Sequence, residues 1–274
     1  MVDPYDEAPR PEDVPVSPAA TVMLVEDRPD LRVLMVRRTS RLAFAGGMWV
    51  FPGGRVDPAD DDIRPPDLGL DEGDGADLGV DRPFAFWSAA VREVFEETGL
   101  LLAVDDRDDW AEVADPGVDR RALATGRPLA DLLAERGWRV PGPRIPYVAQ
   151  WITPVGPPRR FDARFFVASA PPHDEVVHDD DELVDAEWVA PATALAFAED
   201  GRWELMGPTH RMLRSLARFE SAGEALAVAA DPPPFQRARV VFGEAGRYDV
   251  LLPGDPGYES GTEDFERGWV RLYR

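Results

Sequence analysis

The 274-residue chain contains no cysteine, no lysine and no asparagine, and only three histidines. Without cysteine there is no disulfide framework and no thiolate chemistry. His173, His178 and His210 lack the spacing of metal ligands. The sequence also lacks a G-x-S-x-G motif, a GxxxxGK[ST] loop and zinc-ligand spacing, which excludes the common serine-nucleophile, P-loop and zinc signatures.

Long apolar runs are missing as well, since no stretch approaches the ~20 residues of a membrane span. The first residues, "MVDPYDEAPRPEDVPVSP", are acidic and rich in proline, the opposite of a signal peptide. We therefore expect a disordered arm over 1–18 and a cytoplasmic protein that does not enter membranes.

Positive charge is scarce, because 52 acidic residues face 30 basic ones and the formal net charge is −22. Such a surface argues against non-specific binding to nucleic acid or to anionic lipid. It also means that an anionic substrate needs metal ions or local arginines in order to approach.

The remaining sequence predicts interleaved strands and helices, an α/β or α+β class. Two strands flank the turn "DRPD", and a long loop is expected over 58–82. Residues 105–125 read as irregular, followed by a helix ending at Gly137. Further strands are predicted at "YVAQWITP", "ARFFVAS" and "LVDAEWVA", helices at "PATALAFAED" and "PTHRMLRSLARFESA", and short tail strands at "ARVVFG", "YDVLLP" and "WVRLYR".

A helix is predicted from about Pro83 to Thr98, with Asp81 as its N-cap. It carries an unusual cluster of carboxylates. Glu93, Glu96 and Glu97 share one side of the helix at spacings i, i+3 and i+4. Like charges at these spacings cost roughly 0.2–0.5 kcal/mol per pair. With a divalent cation bound, the same cluster would stabilise the helix, because Mg²⁺ prefers oxygen ligands. A solvated acidic face is the alternative interpretation.

Around this helix the sequence resembles the Nudix hydrolases, whose signature is G-x5-E-x7-R-E-U-x-E-E-x-G-U, with U aliphatic. Gly54 matches the first glycine, and the run from Arg92 to Leu100 matches the second half. Two departures are visible. Asp60 stands where the signature has glutamate, and 31 residues separate Asp60 from Arg92 where the signature has 7, an insertion of 24.

The acyl-CoA diphosphatase branch of that family is known for an insertion at this place. Its upstream motif, R-[SA]-x3-R-x3-G-x3-F-P-G-G, is similar to the segment that begins at Arg38. Thr39 and Ala43 depart from this motif, and Ala43 replaces its second arginine, for which Arg41 is a conjectural substitute. "WITPVGPPRRFDARFFVA" also resembles the branch.

The resemblance implies an α/β/α sandwich around a mixed sheet, with the Nudix domain over 19–220. A C-terminal extension over 221–274, which the resemblance does not cover, is expected to pack on this domain. The resemblance further implies pyrophosphate hydrolysis with Mg²⁺ or Mn²⁺. The residues it implies as metal ligands are Glu93, Glu96, Glu97 and Gly54. Catalytic roles fall to Glu93, Glu97, Arg92 and Glu182, and substrate contacts to Arg38, Arg41, Gly53, Arg159 and Arg160.

Several assignments leave alternatives open. Glu182, with Asp181 behind it, is the best guess for a carboxylate outside the signature, or part of a solvated loop. Asp60 either fills the displaced glutamate position or begins the inserted loop. Arg159 and Arg160 either meet phosphate or balance nearby acids. Three aromatic residues either stack a base or belong to the core: Trp49, Trp151 and Phe165.

The leading function is hydrolysis of coenzyme A or acyl-CoA to 3′,5′-ADP and a phosphopantetheine. A nearby alternative keeps the chemistry and changes the substrate to ADP-ribose, a dinucleotide or a nucleoside triphosphate. An alternative of another class is a Nudix fold that only binds ligand. The expected partner is a small nucleotide substrate. A sheet extension, a cleft cover and a homodimer interface are all compatible with the tail strands.

Overall fold

The fold is organised around a strand that is buried on both faces. A computed structural model describes residues 11–40, 45–71, 73–173, 176, 183–242, 248–261 and 268–274. Strand β1 spans Val16–Asp27. Val22 and Leu24 point into one core, and Met23 and Val25 into another on the opposite face. This alternation follows from the two-residue period of a strand.

Nine of the described strands form one mixed sheet in the order β3-β2-β1-β6-β5-β11-β8, where β8 is Gln236–Arg237 and β11 is Gly268–Val270, with β4 added to β1 and β7 to β2. The pair β1–β6 is parallel, whereas the other pairs are antiparallel. The first seven strands are β1 Val16–Asp27, β2 Leu31–Arg38, β3 Trp49–Val50, β4 Gly53–Arg55, β5 Tyr147–Ile152, β6 Arg160–Ser169 and β7 Leu183–Val189.

Helices cover both faces of this sheet and give the sandwich that the sequence predicted. One core packs α1 Phe84–Thr98, α2 Pro116–Ala124 and α3 Leu129–Arg136 against the sheet, together with apolar residues of the inserted loop. The other packs α4 Pro191–Glu199, α5 Gly207–Leu216 and α6 Ala222–Ala230. The Nudix-like α/β/α class is therefore confirmed.

The C-terminal strands divide between two places. Strands β8 Gln236–Arg237 and β11 Gly268–Val270 extend the main sheet, because β11 pairs with β5. Strands β9 Arg239–Phe242 and β10 Tyr248–Leu251 form a separate antiparallel pair. Of the alternatives for the tail, sheet extension thus holds for β8 and β11.

Several local predictions need correction. Strand β1 begins at Val16, inside the arm predicted over 1–18, because its first residues pair with β6. Helix α1 begins at Phe84 with Pro83 as its N-cap, not Asp81. Helix α2 lies in the segment predicted as irregular, and α6 was not predicted. None of the described helices has the length and apolarity to cross a membrane.

A buried carboxylate ties the C-terminal segment to α5. Asp255 forms ion pairs with Arg214, at 2.9 Å, and with Arg218, and its other oxygen accepts a hydrogen bond from the Leu252 N–H at 2.7 Å. We predict that Asp255→Asn lowers the free energy of unfolding by about 2 kcal/mol, the scale of a hydrogen bond to a charged group. Urea unfolding followed by fluorescence measures this change.

The control is Asp200→Asn, since Asp200 pairs with Arg202 at an exposed site. It should change the free energy of unfolding by less than about 0.5 kcal/mol. Equal effects of the two variants would mean that the C-terminal segment is not held through Asp255.

Candidate active site

The carboxylate-bearing helix α1 ends in a tight, well-defined cap. Gly99 has φ +75°, and its N–H donates to the Phe95 carbonyl at 2.9 Å. Such a left-handed residue favours glycine and fixes the last turn of the helix. That last turn carries Glu96 and Glu97, so their backbone positions are set by the cap and by the apolar face beneath them.

The three glutamates of α1 do not form a solvated face. Glu97 is only 4% exposed, and the side chains of Glu93 and Glu96 are 16% and 18% exposed. Burial of ionised carboxylates is costly unless they are paired or bind a cation. The solvated interpretation of this cluster is therefore wrong.

Arg92 uses all of its donors in this cluster. Its Nε and Nη2 bind the two oxygens of Asp60, each at 3.0 Å, and Nη2 also donates to the Arg55 carbonyl at 2.9 Å. Nη1 donates to Glu93 at 2.8 Å and to Glu96 at 3.0 Å. These contacts match the five N–H groups of a guanidinium. Arg92 therefore holds three carboxylates in fixed relative positions.

Asp60 brings the two separated parts of the signature together, because its carboxylate binds Arg92. Although 31 residues separate it from Arg92 in sequence, its carboxylate lies against the guanidinium and is 1% exposed. Ser88 and the backbone N–H of Asp57 donate to the same carboxylate, at 3.2 and 2.8 Å. Asp60 thus fills the displaced position six residues after Gly54. Its place in the signature is the signal that could have favoured this role.

Gly53 and Gly54 bring the backbone of β4 against these groups. The Gly53 N–H donates to Glu97 at 2.9 Å. A Cβ on Gly54 would lie 2.5 Å from the carboxylate of Glu93, and one on Gly53 would lie 2.3 Å from the Ala20 carbonyl. The contact at Gly53 is with backbone, and its φ of +148° also favours glycine, so this position requires glycine. A side chain on Gly54 would displace the Glu93 carboxylate from its bond to Arg92.

Burial and charge also shape the acidity of the cluster. Burial raises the pKa of Glu93 to about 7, with Glu96 adding to the rise and Arg92 opposing it. Burial likewise raises the pKa of Glu96 against the pull of Arg92. Burial alone lowers the pKa of Arg92, but its hydrogen bond to Asp60 and the surrounding carboxylates raise it above its ordinary value.

Two further arginines lie beside the glutamates. Nη1 of Arg38 is 3.8 Å from Glu97, and its Nε is buried without a hydrogen-bond partner among the described residues. Arg120 donates from Nε and Nη2 to the Glu96 carbonyl, at 2.8 and 2.6 Å. That carbonyl belongs to the last turn of α1, where helix carbonyls lack an internal partner. Sequence reasoning missed Arg120, because its segment was expected to be irregular.

The other predicted substrate arginines lie elsewhere. Arg159 is exposed in the turn between β5 and β6. Arg160 donates to the carbonyls of Thr153 and Val14, at 3.2 and 3.3 Å. Its partner on β1 is Val16, whereas Gly54 pairs with Ala20. Four strand residues separate these positions, or about 13 Å. Arg159 and Arg160 are thus not brought to the glutamates.

The aromatic candidates belong to the core, since they are nearly fully buried: Trp49, Trp151 and Phe165. Trp49 stacks on Trp203 with ring centres 4.0 Å apart. Five predicted or discussed positions lie outside the described residues: Arg41, Ala43, His178, Asp181 and Glu182.

The donor set suits a hard divalent cation in its chemistry, because it consists of carboxylate oxygens. The bonds to Arg92 use one oxygen each of Glu93 and Glu96, which leaves the second oxygen of each for another partner. In the described part of the chain no three acidic or histidine side chains converge on one point. Binding of an ion therefore requires the glutamate side chains to turn towards a common position.

The chain is similar to two curated proteins over most of its length. The chain is 28% identical over 278 residues to acyl-coenzyme A diphosphatase NUDT19 of Gallus gallus, covering 84% of this chain and 73% of that protein. It is 24% identical over 247 residues to the protein of the same name from Xenopus laevis, covering 71% of this chain and 62% of that one.

Among solved structures, a NUDIX hydrolase from Alicyclobacillus acidocaldarius superposes with a TM-score of 0.69 at 26% identity, covering 80% of this chain and 99% of that one. No family model matches the sequence.

The Asp60–Arg92 pair is the contact on which this cluster depends. We predict that Asp60→Asn lowers the free energy of unfolding by about 3 kcal/mol, because it leaves a buried guanidinium without its bidentate partner. Chemical denaturation measures the change.

Asp61→Asn is the matched control, since the neighbouring Asp61 pairs with the exposed Arg82. That variant should cost less than about 1 kcal/mol. A loss of the same size in both variants would contradict the special role of Asp60.

Proposed function

Because the chain belongs to the Nudix hydrolase family, we propose that it is a metal-dependent pyrophosphohydrolase whose substrate is coenzyme A or an acyl-CoA. The observation that carries this proposal is the Arg92 cluster. It holds both halves of the interrupted signature in contact, with Asp60 on one side and Glu93 and Glu96 on the other. A protein that had lost the catalytic function of this signature would not be expected to keep a buried charge network with all of its hydrogen bonds.

The proposed chemistry is attack of water on one phosphorus of a pyrophosphate. Mg²⁺ or Mn²⁺, held by Glu93, Glu96 and Glu97, would supply charge neutralisation of the phosphate oxygens and a more acidic water. Arg92 orients two of these carboxylates and does not contact substrate. Burial raises the pKa of Glu93 to about 7. A bound cation would favour the ionised form of this carboxylate.

Arg38 is the best candidate for a direct contact with the substrate. Its guanidinium lies at the edge of the cluster, 3.8 Å from Glu97, and its Nε has no partner in the described residues. A guanidinium with spare donors fits phosphate oxygens bidentately. Arg38 would thus bind the pyrophosphate while remaining close to a metal-binding carboxylate.

The coenzyme A assignment is supported by the names of the relatives and by the position of the insertion. The relatives from chicken and frog are acyl-coenzyme A diphosphatases by name, and their similarity covers most of this chain. Ala43 remains the feature that favours another nucleotide. A role in binding alone is disfavoured, because Arg92, Glu93, Glu96 and Glu97 are all present and held together.

The test is chromatographic product analysis with Mg²⁺ or Mn²⁺ and a panel of substrates. The panel contains coenzyme A, an acyl-CoA, ADP-ribose, a diadenosine polyphosphate and a nucleoside triphosphate. We expect metal-dependent release of 3′,5′-ADP from the coenzyme A compounds. Cleavage confined to another substrate would retain the chemistry and reject the coenzyme A assignment. No cleavage of any compound would favour the binding-only alternative.

The Glu97→Gln variant tests the metal site directly. Glutamine can still accept the hydrogen bond from the Gly53 N–H, so the fold should persist. Because a carboxylate ligand is lost, we expect turnover to fall by more than about 100-fold, the upper range for loss of a contact that merely supports a ligand. Steady-state rates with and without added Mn²⁺ measure the effect.

Glu199→Gln, at an exposed position of α4, is the control and should retain the full rate. Full activity of Glu97→Gln, with an unchanged thermal melting temperature, would remove Glu97 from the metal site.

A further inference from the structure

A groove lies between the inserted loop and the first turn of α1. A cavity of about 590 Å³ lies between Asp61, Ile63 and the residues around Pro83. A second one, of about 310 Å³, continues across Val80, Arg82 and Ala85 to Val56 and Val16. Because the two share the ridge at 80–82 and Ala85, they form one surface feature, which we name the insertion groove. Neither cavity includes the glutamates.

The chemistry of the insertion groove does not suit a phosphate. Apolar side chains outnumber charged ones among its lining residues, and Val16, Val56, Val80 and Phe86 are among them. Its one lining arginine, Arg82, is paired with Asp61.

Two further carboxylates add negative charge to these walls. Asp81 lines both cavities, and Asp162, which is already bonded to Gln150 and Arg164, lines the second. An uncharged, mainly apolar chain is therefore the favoured occupant.

The groove is close to the active-site cluster but separate from it. Val56 is two residues from Gly54, which packs against Glu93. On α1, Ala85 lies eight residues before Glu93 and twelve before Glu97, or about 12–18 Å along the helix axis. A substrate whose pyrophosphate meets the glutamates can thus reach the groove only through an arm longer than about 12 Å.

We infer that the insertion groove binds the acyl chain of an acyl-CoA, together with the sulfur end of its pantetheine arm. This inference rests on the proposed function. Pantetheine places about twelve bonds between its phosphate oxygen and its sulfur. An extended chain spans about 3.3–3.6 Å per three backbone bonds, so this arm reaches about 14 Å. From a phosphate beside Glu93, the arm reaches past the Asp60–Arg92 pair to the near end of the groove, and the attached acyl chain continues into it.

The kinetic test compares octanoyl-CoA with free coenzyme A. In the wild-type protein kcat/KM should be higher for octanoyl-CoA. Val80→Trp fills the groove and should lower the ratio of the two values at least about tenfold, since even one methylene in an apolar pocket is worth that much. Val16→Trp, at the half-exposed outer rim, should lower the ratio in the same direction without endangering the fold.

Val118→Trp is the matched control, because Val118 is exposed on α2 and away from the groove. It should leave the ratio unchanged. An unchanged ratio in both Val80→Trp and Val16→Trp would overturn the inference.

A binding experiment separates failure of the groove from failure of the proposed function. Octanoyl-pantetheine, which lacks the nucleotide, is titrated into protein with labelled valine methyl groups and followed by NMR. Saturable shifts at Val56 and Val80 in the wild-type protein, with loss of the Val56 shift in Val80→Trp, support the groove even in a protein that hydrolyses no coenzyme A compound. No shift at these methyl groups, or shifts produced instead by 3′,5′-ADP, would overturn the inference.

Discussion

The buried guanidinium of Arg92 is the interaction on which the candidate site depends. Its five donors are divided between Asp60, the Arg55 carbonyl and two glutamates of its own helix. These partners belong to the inserted loop, to the end of β4 and to α1. A buried charge tolerates no missing partner without a cost of several kcal/mol. The three segments are therefore fixed relative to one another by one side chain, and the carboxylate positions follow from it.

The charge balance around Arg92 explains why the same cluster is suited to a cation. Four carboxylates, those of Asp60, Glu93, Glu96 and Glu97, face the guanidinium groups of Arg92 and Arg38. Negative charge is in excess, and burial, with a further contribution from Glu96, raises the pKa of Glu93 against the opposing effect of Arg92. A divalent ion would neutralise the excess without a proton. The two arginines thus fix the positions of the carboxylates, and the negative charge that they leave unbalanced would favour binding of a metal ion.

Much of this arrangement follows from local sequence. Strand β2 follows the turn "DRPD" as predicted, because its apolar residues 33–36 are consecutive, and α3 ends where Gly137 predicts. Helix α2 escaped prediction because it follows the acidic stretch 105–115 and begins with Pro116 and Gly117. Its support is tertiary: Arg136 donates to Asp119, and Arg120 donates to the end of α1. The role of Asp60 was likewise ambiguous, since no local pattern reveals that the chain returns to it 31 residues later.

The inserted loop shows why a signature can be interrupted without loss of its geometry. Lengthening a loop from 7 to 31 residues costs only roughly 1 kcal/mol of closure entropy, because the cost grows with the logarithm of length. Burial of Ile63, Leu68 and Leu78 against the core of α1 offsets this cost, at about 1.5–3 kcal/mol per side chain. The two ends of the loop meet at the Asp60–Arg92 pair, so additional chain between them does not disturb the glutamates. The insertion can therefore form a wall of a substrate groove while the chemistry beside it stays fixed.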